Sequence, residues 1–294
     1  MKLIRNFFVS TIFLFIYIWS CSSSLKNDLT VLYKLPKSLK EVSGIAITDN
    51  LTWVIEDSGN KSEIYGLSEK GKIKIESKVS NIKNIDWEDL TTDSKGNLYI
   101  GAFGNNKNYR RDLCIYKINK NSLKQNILSV DKTTFFYPEQ TKFPPKNKDL
   151  LYDCEAFFEW NGYFYLLTKN RSKDFDGTSL VYKIANKQGN QEAILLANFK
   201  TCSNYKNCAI TSAAISPNGT KVVALTHDSI FLFENFSDDD FTKGTMKKLE
   251  LNHVSQKESI CFKDESTLLI ADERNGKQDG NVYEVKLENL KTKS

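Results

Sequence analysis

Hydrophobic residues fall on every second position in short runs that recur along the chain from Leu29 onward, and helical periodicity is almost absent. Such alternation marks strands with one face buried, and Asn-Gly, Lys-Gly, Asp-Gly and Ser-Gly pairs between the runs supply the turns. An all-β protein is predicted. The runs group in fours: 43–47, 51–55, 64–67 and 72–79, then from Trp87 through 98–100 and 114–118 to 133–137. A third set starts at Cys154 and continues through 163–167 and 180–184 to 194–199, and a fourth comprises 211–216, 222–225, 230–233 and 247–251. The fifth has only three runs, 259–262, 268–271 and 282–285, while an orphan run at 29–35 precedes the first. The two irregularities cancel if the N-terminal strand completes the last sheet, which also removes an open edge. The prediction is a five-bladed β-propeller over residues 29–290 with a short tail at 291–294. A six-bladed ring is the alternative and needs a sheet the pattern does not supply.

Each set opens on a similar phrase: Glu41-Val42-Ser43-Gly44-Ile45, Asp86-Trp87-Glu88-Asp89-Leu90, Asp153-Cys154-Glu155-Ala156-Phe157, Ile210-Thr211-Ser212-Ala213-Ala214 and Lys257-Glu258-Ser259-Ile260. Aligning them selects Ser43, Glu88, Glu155, Ser212 and Glu258. The first strand of every blade lines the central channel, so these five side chains are expected to converge on one axis. Carboxylates gathered in a channel repel one another and lose hydration, which raises their pKa values unless a cation compensates. Calcium accepts six to eight oxygens in tolerant geometry, and suits such a ring better than zinc or magnesium. The competing reading is structural, with the glutamates bonding the backbone of neighbouring blades. Trp53, Trp87 and Trp160 read as blade-packing residues.

The N-terminus sets the expected compartment. Lys2 and Arg5 precede an apolar run at 7–19 that stops at Ser20-Cys21, which reads as a signal peptide over residues 1–20 and not as a spanning helix. Ile18-Trp19-Ser20-Cys21 resembles a bacterial lipobox, so Cys21 is the expected lipidation site, with residues 21–28 as a polar tether. The alternative is ordinary cleavage that leaves Cys21 a free thiol. The expected location is the cell envelope, and Ser22 favours the outer membrane. Without the leader the formal charge falls from +5 to +3, with no basic block, so nucleic acid is not an expected partner. Two histidines, His227 and His253, and no Cys-x-x-Cys pair argue against zinc. Cys202 and Cys208 bracket a short polar loop, and an oxidising envelope permits, without requiring, a disulfide there.

The order serine, glutamate, glutamate, serine, glutamate at these positions resembles the calcium-activated nucleotidase (apyrase) family of five-bladed propellers. That resemblance implies a single central calcium ion. More loosely, the Ser-Gly-Ile-Ala, Glu-Ala-Phe-Phe and Glu-Ser-Ile phrases resemble phytase-like and SdiA-regulated bacterial propellers. The polar residues after each second strand, among them Glu56-Asp57, Asn105-Asn106, Arg110-Arg111, Lys169-Asn170-Arg171 and Asp272-Glu273-Arg274, are expected on one rim. Arg171 resembles a phosphate-contacting arginine of the nucleotidases, and Lys169 and Arg274 are further candidates for gripping phosphate. Thr226-His227-Asp228 departs from that family, whose fourth blade carries a lysine followed by acidic residues. Two functions follow as expectations. One is a monomeric, calcium-stapled binding or scaffold module for a protein or glycan partner. The other is a calcium-dependent phosphohydrolase acting on a phosphorylated small molecule.

Overall fold

Asp49 and Asn50, at φ 52° and 60°, and Asn161 and Gly162, at 51° and 82°, take the left-handed backbone that two-residue hairpin loops require. They join first and second strands, Val42–Thr48 to Leu51–Glu56 and Asp153–Trp160 to Tyr163–Lys169. Longer loops, 93–97, 216–221 and 263–266, make the same connection in the other three sheets. The computed structural model describes residues 29–276 and 279–292, so the expected leader, the tether and Cys21 lie outside the described residues.

Five sheets, antiparallel through their four main strands, form five blades. Their innermost strands are Val42–Thr48, Asp89–Thr92, Asp153–Trp160, Ser212–Ile215 and Lys257–Phe262, for blades 1 to 5. Each innermost strand lies against the next, and the fifth returns to the first, which closes the ring. The protein is a five-bladed β-propeller. Thr30–Lys34 pairs with Asn281–Lys286 as the outermost strand of blade 5, the closure expected for the orphan N-terminal run.

Three blades carry a short fifth strand that the sequence pattern did not reveal. Ile127–Leu128 joins blade 1 in parallel, Gly189–Glu192 joins blade 2 in parallel, and Lys291–Thr292 joins blade 4 antiparallel. The propeller therefore runs on to Thr292. Segments of two to four residues are too short to display an alternation, so only pairing identifies them.

Among the described residues five hydrophobic clusters fill the five interfaces between blades. Trp53 and Trp87, both fully buried, pack between blades 1 and 2. Between blades 2 and 3, Phe103 meets Phe157 edge to face at 5.1 Å, and Tyr99 meets Phe164 at the same distance. Each large side chain removed from water in this way contributes about 2–3 kcal/mol. This packing fixes the angle between blades, and so the positions of the channel residues.

Candidate functional site

Antiparallel pairing sets the start of each first strand beside the end of its second: Val42 opposes Glu56, Asp153 opposes Lys169, and Lys257 opposes Asp272. The opening phrases and the rim residues therefore share one mouth of the channel. A β-bulge occurs at the same place in each blade. The register breaks between Val42 and Gly44, between Cys154 and Ala156, and between Lys257 and Ser259, leaving Ser43, Glu155 and Glu258 as the extra residues. In blade 2, Asp89 pairs with Gly101 while the Glu88 N–H also donates to the Gly101 carbonyl at 2.9 Å. Such bulges turn a side chain out of the sheet plane and recur beside functional sites.

Blade 4 breaks the expected equivalence by one residue. Ser212 pairs with Leu225, and the Thr211 N–H donates to the same carbonyl at 3.0 Å, so Thr211 occupies the bulge position. Hydrogen bonding agrees. The Ser43 hydroxyl donates to the Trp87 carbonyl at 2.8 Å, and the Thr211 hydroxyl donates to the Lys257 carbonyl at 2.8 Å. Each thus holds the peptide just before the next blade's glutamate. Matching serine to serine hid this register, because threonine offers the same hydroxyl one position earlier.

Ser212 lies one layer deeper. Its hydroxyl donates to Asp89, at 3.0 and 3.1 Å from the two carboxylate oxygens, and accepts from the Ile260 N–H at 3.1 Å. Asp89 also accepts from the Leu90 and Phe157 N–H groups at 2.9 and 3.2 Å and from the Ala213 N–H at 3.4 Å. This fully buried carboxyl therefore ties blades 2, 3 and 4 together on the axis. Burial pushes its pKa well up, and the donors offset only part of that effect.

The predicted glutamates have three different surroundings. Glu155 is engaged: Lys169 lies 3.1 Å away, and Arg171 bridges Glu155 and Asp153. Burial opposes its charge, yet the two cations prevail and hold its pKa at about 2. Glu258 meets the Nε2 of His227 at 3.1 Å, and His227 Nδ1 lies 2.9 Å from the Lys206 carbonyl. A carbonyl only accepts, so Nδ1 carries the hydrogen of that contact.

Glu88 has neither kind of partner. It is 9% exposed, and its carboxylate accepts no hydrogen bond from any described residue. One oxygen each of Glu88, Asp57 and Asp86 lie within 4.8 Å of one another. Burial and then the neighbouring carboxylates of Glu155, Asp57 and Asp86 raise the Glu88 pKa well above its ordinary range. Burial likewise raises Asp57 to about 6, with Asp86, Glu155 and Glu258 adding to the effect, and raises Asp86 despite the nearby Arg110. Gly104 makes room for this group, since a Cβ there would stand 1.9 Å from a Glu88 oxygen. Asp57 and Asp86 were not assigned to the site from sequence. Asp86 sits two residues before Glu88 in the repeated phrase, and Asp57 follows the second strand of blade 1; both positions carried the signal.

The cations expected to grip phosphate are differently placed. Lys169 and Arg171 are bound to Glu155 and Asp153, and Arg171 also donates to the Tyr205 hydroxyl. Arg274 forms no ion pair among the described residues. Arg110 turns inward to the Gly104 and Ala102 carbonyls, and Arg111 covers the Phe143 ring at 3.6 Å. Cys202 and Cys208 are joined, closing the loop that carries Tyr205 and Lys206 to the mouth.

No protein family matches the chain, and no curated protein does. Among solved structures, the chain is similar to a PQQ-bound aldose sugar dehydrogenase from Streptomyces coelicolor. That match has a TM-score of 0.52 at 9% identity and covers 88% of this chain and 97% of the other. A gluconolactonase from Xanthomonas campestris matches at TM-score 0.47 and 10% identity, over 90% of this chain and 89% of its own. At such identities the likeness is one of fold alone. The class defined is therefore a β-propeller with an acidic channel mouth.

Proposed function

We propose that the protein is a calcium-binding propeller of the bacterial cell envelope, lipid-anchored through Cys21, in which the cation braces the channel mouth of a binding or scaffold module. One observation carries this reading: Glu88, 9% exposed, brings a carboxylate oxygen within 4.8 Å of oxygens of Asp57 and Asp86, and none of the three forms an ion pair among the described residues. Three carboxylates that close together either hold protons or face a cation. The donors are all hard oxygens, which suits calcium and leaves zinc without its preferred nitrogen and sulfur ligands. Glu88, Asp57 and Asp86 would hold the ion, with Glu258 and Glu155 around it. Phosphoester hydrolysis is the weaker reading, because Lys169 and Arg171 are already engaged by carboxylates.

The test is thermal unfolding followed by circular dichroism from pH 5 to pH 8, with calcium and with chelator. Asp57, Asp86 and Glu88 have raised folded-state pKa values. The stability linked to their protons is complete below about pH 4 and is lost as pH rises through each raised folded-state value, about 6 for Asp57. The chelated protein is therefore expected to melt at falling temperature as pH rises. Calcium at a hundredfold excess over Kd adds about 2.7 kcal/mol, roughly 5–10 °C in a protein of this size. Equal melting temperatures in calcium and chelator across the range would remove the proposal.

A further inference from the structure

The end of the channel opposite the carboxylates holds two cavities that meet at one side chain. A funnel of about 710 Å³ opens on the axis, and a groove of about 410 Å³ runs between blades 3 and 4. Both volumes lie in the range of small-ligand sites. Trp160, Asn161 and Ile215 belong to both walls, so the two spaces join around the indole of Trp160. The sequence pattern assigned Trp160 to blade packing. The structure packs it against the cluster between blades 3 and 4 but leaves it only half-buried, where the Asn161-Gly162 hairpin ends its strand.

The groove is aromatic. Phe158 and Tyr165 stack at 5.0 Å with an interplanar angle of 10°, while Tyr163 on the wall is 41% exposed. Gly219 presses on the indole so closely that a Cβ there would stand 1.9 Å from a ring atom, which fixes the ring in place.

Charge in both cavities is already balanced. In the groove Asp239 is held by Lys183, and Asp238 by Lys243 at 3.3 Å. In the funnel Asp93 accepts from Asn97 and Tyr99, Glu159 accepts from the Gly162 N–H, and Lys263 pairs with Glu284. Asp93 also accepts the Lys95 backbone N–H at 3.0 Å, and Lys117 lies near enough to Glu159 to oppose part of the effect of its burial. In the groove a charged ligand would have to break one of these pairs, and in the funnel two lysines and two carboxylates leave no excess of either sign. Phe158 and Tyr165 are themselves buried and Lys183 covers one face of Tyr163 at 3.9 Å, so what remains for a ligand is the half-buried indole of Trp160, the outer part of Tyr163 and the hydroxyls of Thr92 and Ser94. That combination matches a molecule with apolar C–H faces and neutral hydroxyls on its edges.

From this we infer that the face opposite the cation mouth binds a neutral oligosaccharide, with one sugar ring on Trp160 and the chain running from the axial funnel into the groove. The site is independent of the calcium reading, since it shares no residue with the mouth. Saturation-transfer NMR on the mature protein, with maltotriose, cellotriose and tri-N-acetylchitotriose offered one at a time, tests it. At least one trisaccharide is expected to receive saturation, and Trp160→Ala and Tyr163→Ala are each expected to weaken its binding tenfold or more, in calcium and in chelator alike. Tyr163 is exposed, so Tyr163→Ala decides the matter if the tryptophan variant fails to fold. No transfer to any of the three at millimolar concentration would overturn the inference. So would transfer that persists unchanged in Tyr163→Ala, or binding of an uncharged hexapeptide alone.

Discussion

Replacing Asp89 by alanine is expected to destabilise the folded protein by about 4 kcal/mol, measured as a shift in the urea unfolding midpoint. The carboxyl accepts the Leu90, Phe157 and Ala213 N–H groups and the Ser212 hydroxyl, all in a fully buried channel. Each donor stranded in such surroundings costs about 1–3 kcal/mol, and relaxation recovers some of it. Asp89→Asn keeps one acceptor oxygen and the shape, so its expected cost is under half that of alanine. Equal losses in the two variants would show that the acceptor role is not what joins blades 2, 3 and 4.

The second large effect is expected at Lys169. Its ammonium lies 3.1 Å from Glu155, and both side chains are buried. Lys169→Met leaves Asp153 and Glu155 to share the single guanidinium of Arg171, and breaking a buried pair in this way costs about 3–5 kcal/mol. Because Arg171 still compensates one charge, the lower end, about 3 kcal/mol, is expected near pH 7. The sign with pH follows from Glu155. Its folded pKa of about 2 stabilises the wild type above the unfolded value, and that contribution is lost as pH falls from about 4.5 through 2. The variant should therefore lose less stability on acidification than the wild type. Parallel pH profiles for the two proteins would contradict the assignment.

Much of the architecture was legible because it repeats. The phrases at Ser43, Glu88, Glu155 and Glu258 carry a local signal, a polar residue inserted before an apolar alternation, and the bulge is its physical counterpart. Closure by Thr30–Lys34 followed from counting strands. The blade 4 phrase failed because Thr211 and Ser212 both carry hydroxyls, and only hydrogen-bond register separates them. The site was partly hidden for a different reason. Nothing in the local pattern tells that Glu155 is neutralised by Lys169 and Arg171 while Glu88 is not, since that depends on how second strands end in space. Asp57 reaches Glu88 from another blade, a contact that no spacing along the chain encodes. The exposure of Trp160 also depends on a hairpin ending at the surface between two blades, which a strand pattern does not report.

Titration calorimetry of calcium into the chelator-stripped mature protein, compared with Glu88→Gln, tests the central claim most directly. The account predicts saturable binding in the wild type, weakened at least tenfold in the variant. It also predicts that the stripped variant melts at or above the temperature of the stripped wild type, because the substitution removes a buried carboxylate that repels Asp57 and Asp86. Undiminished calcium binding by Glu88→Gln, or no binding heat with the wild type, would contradict it.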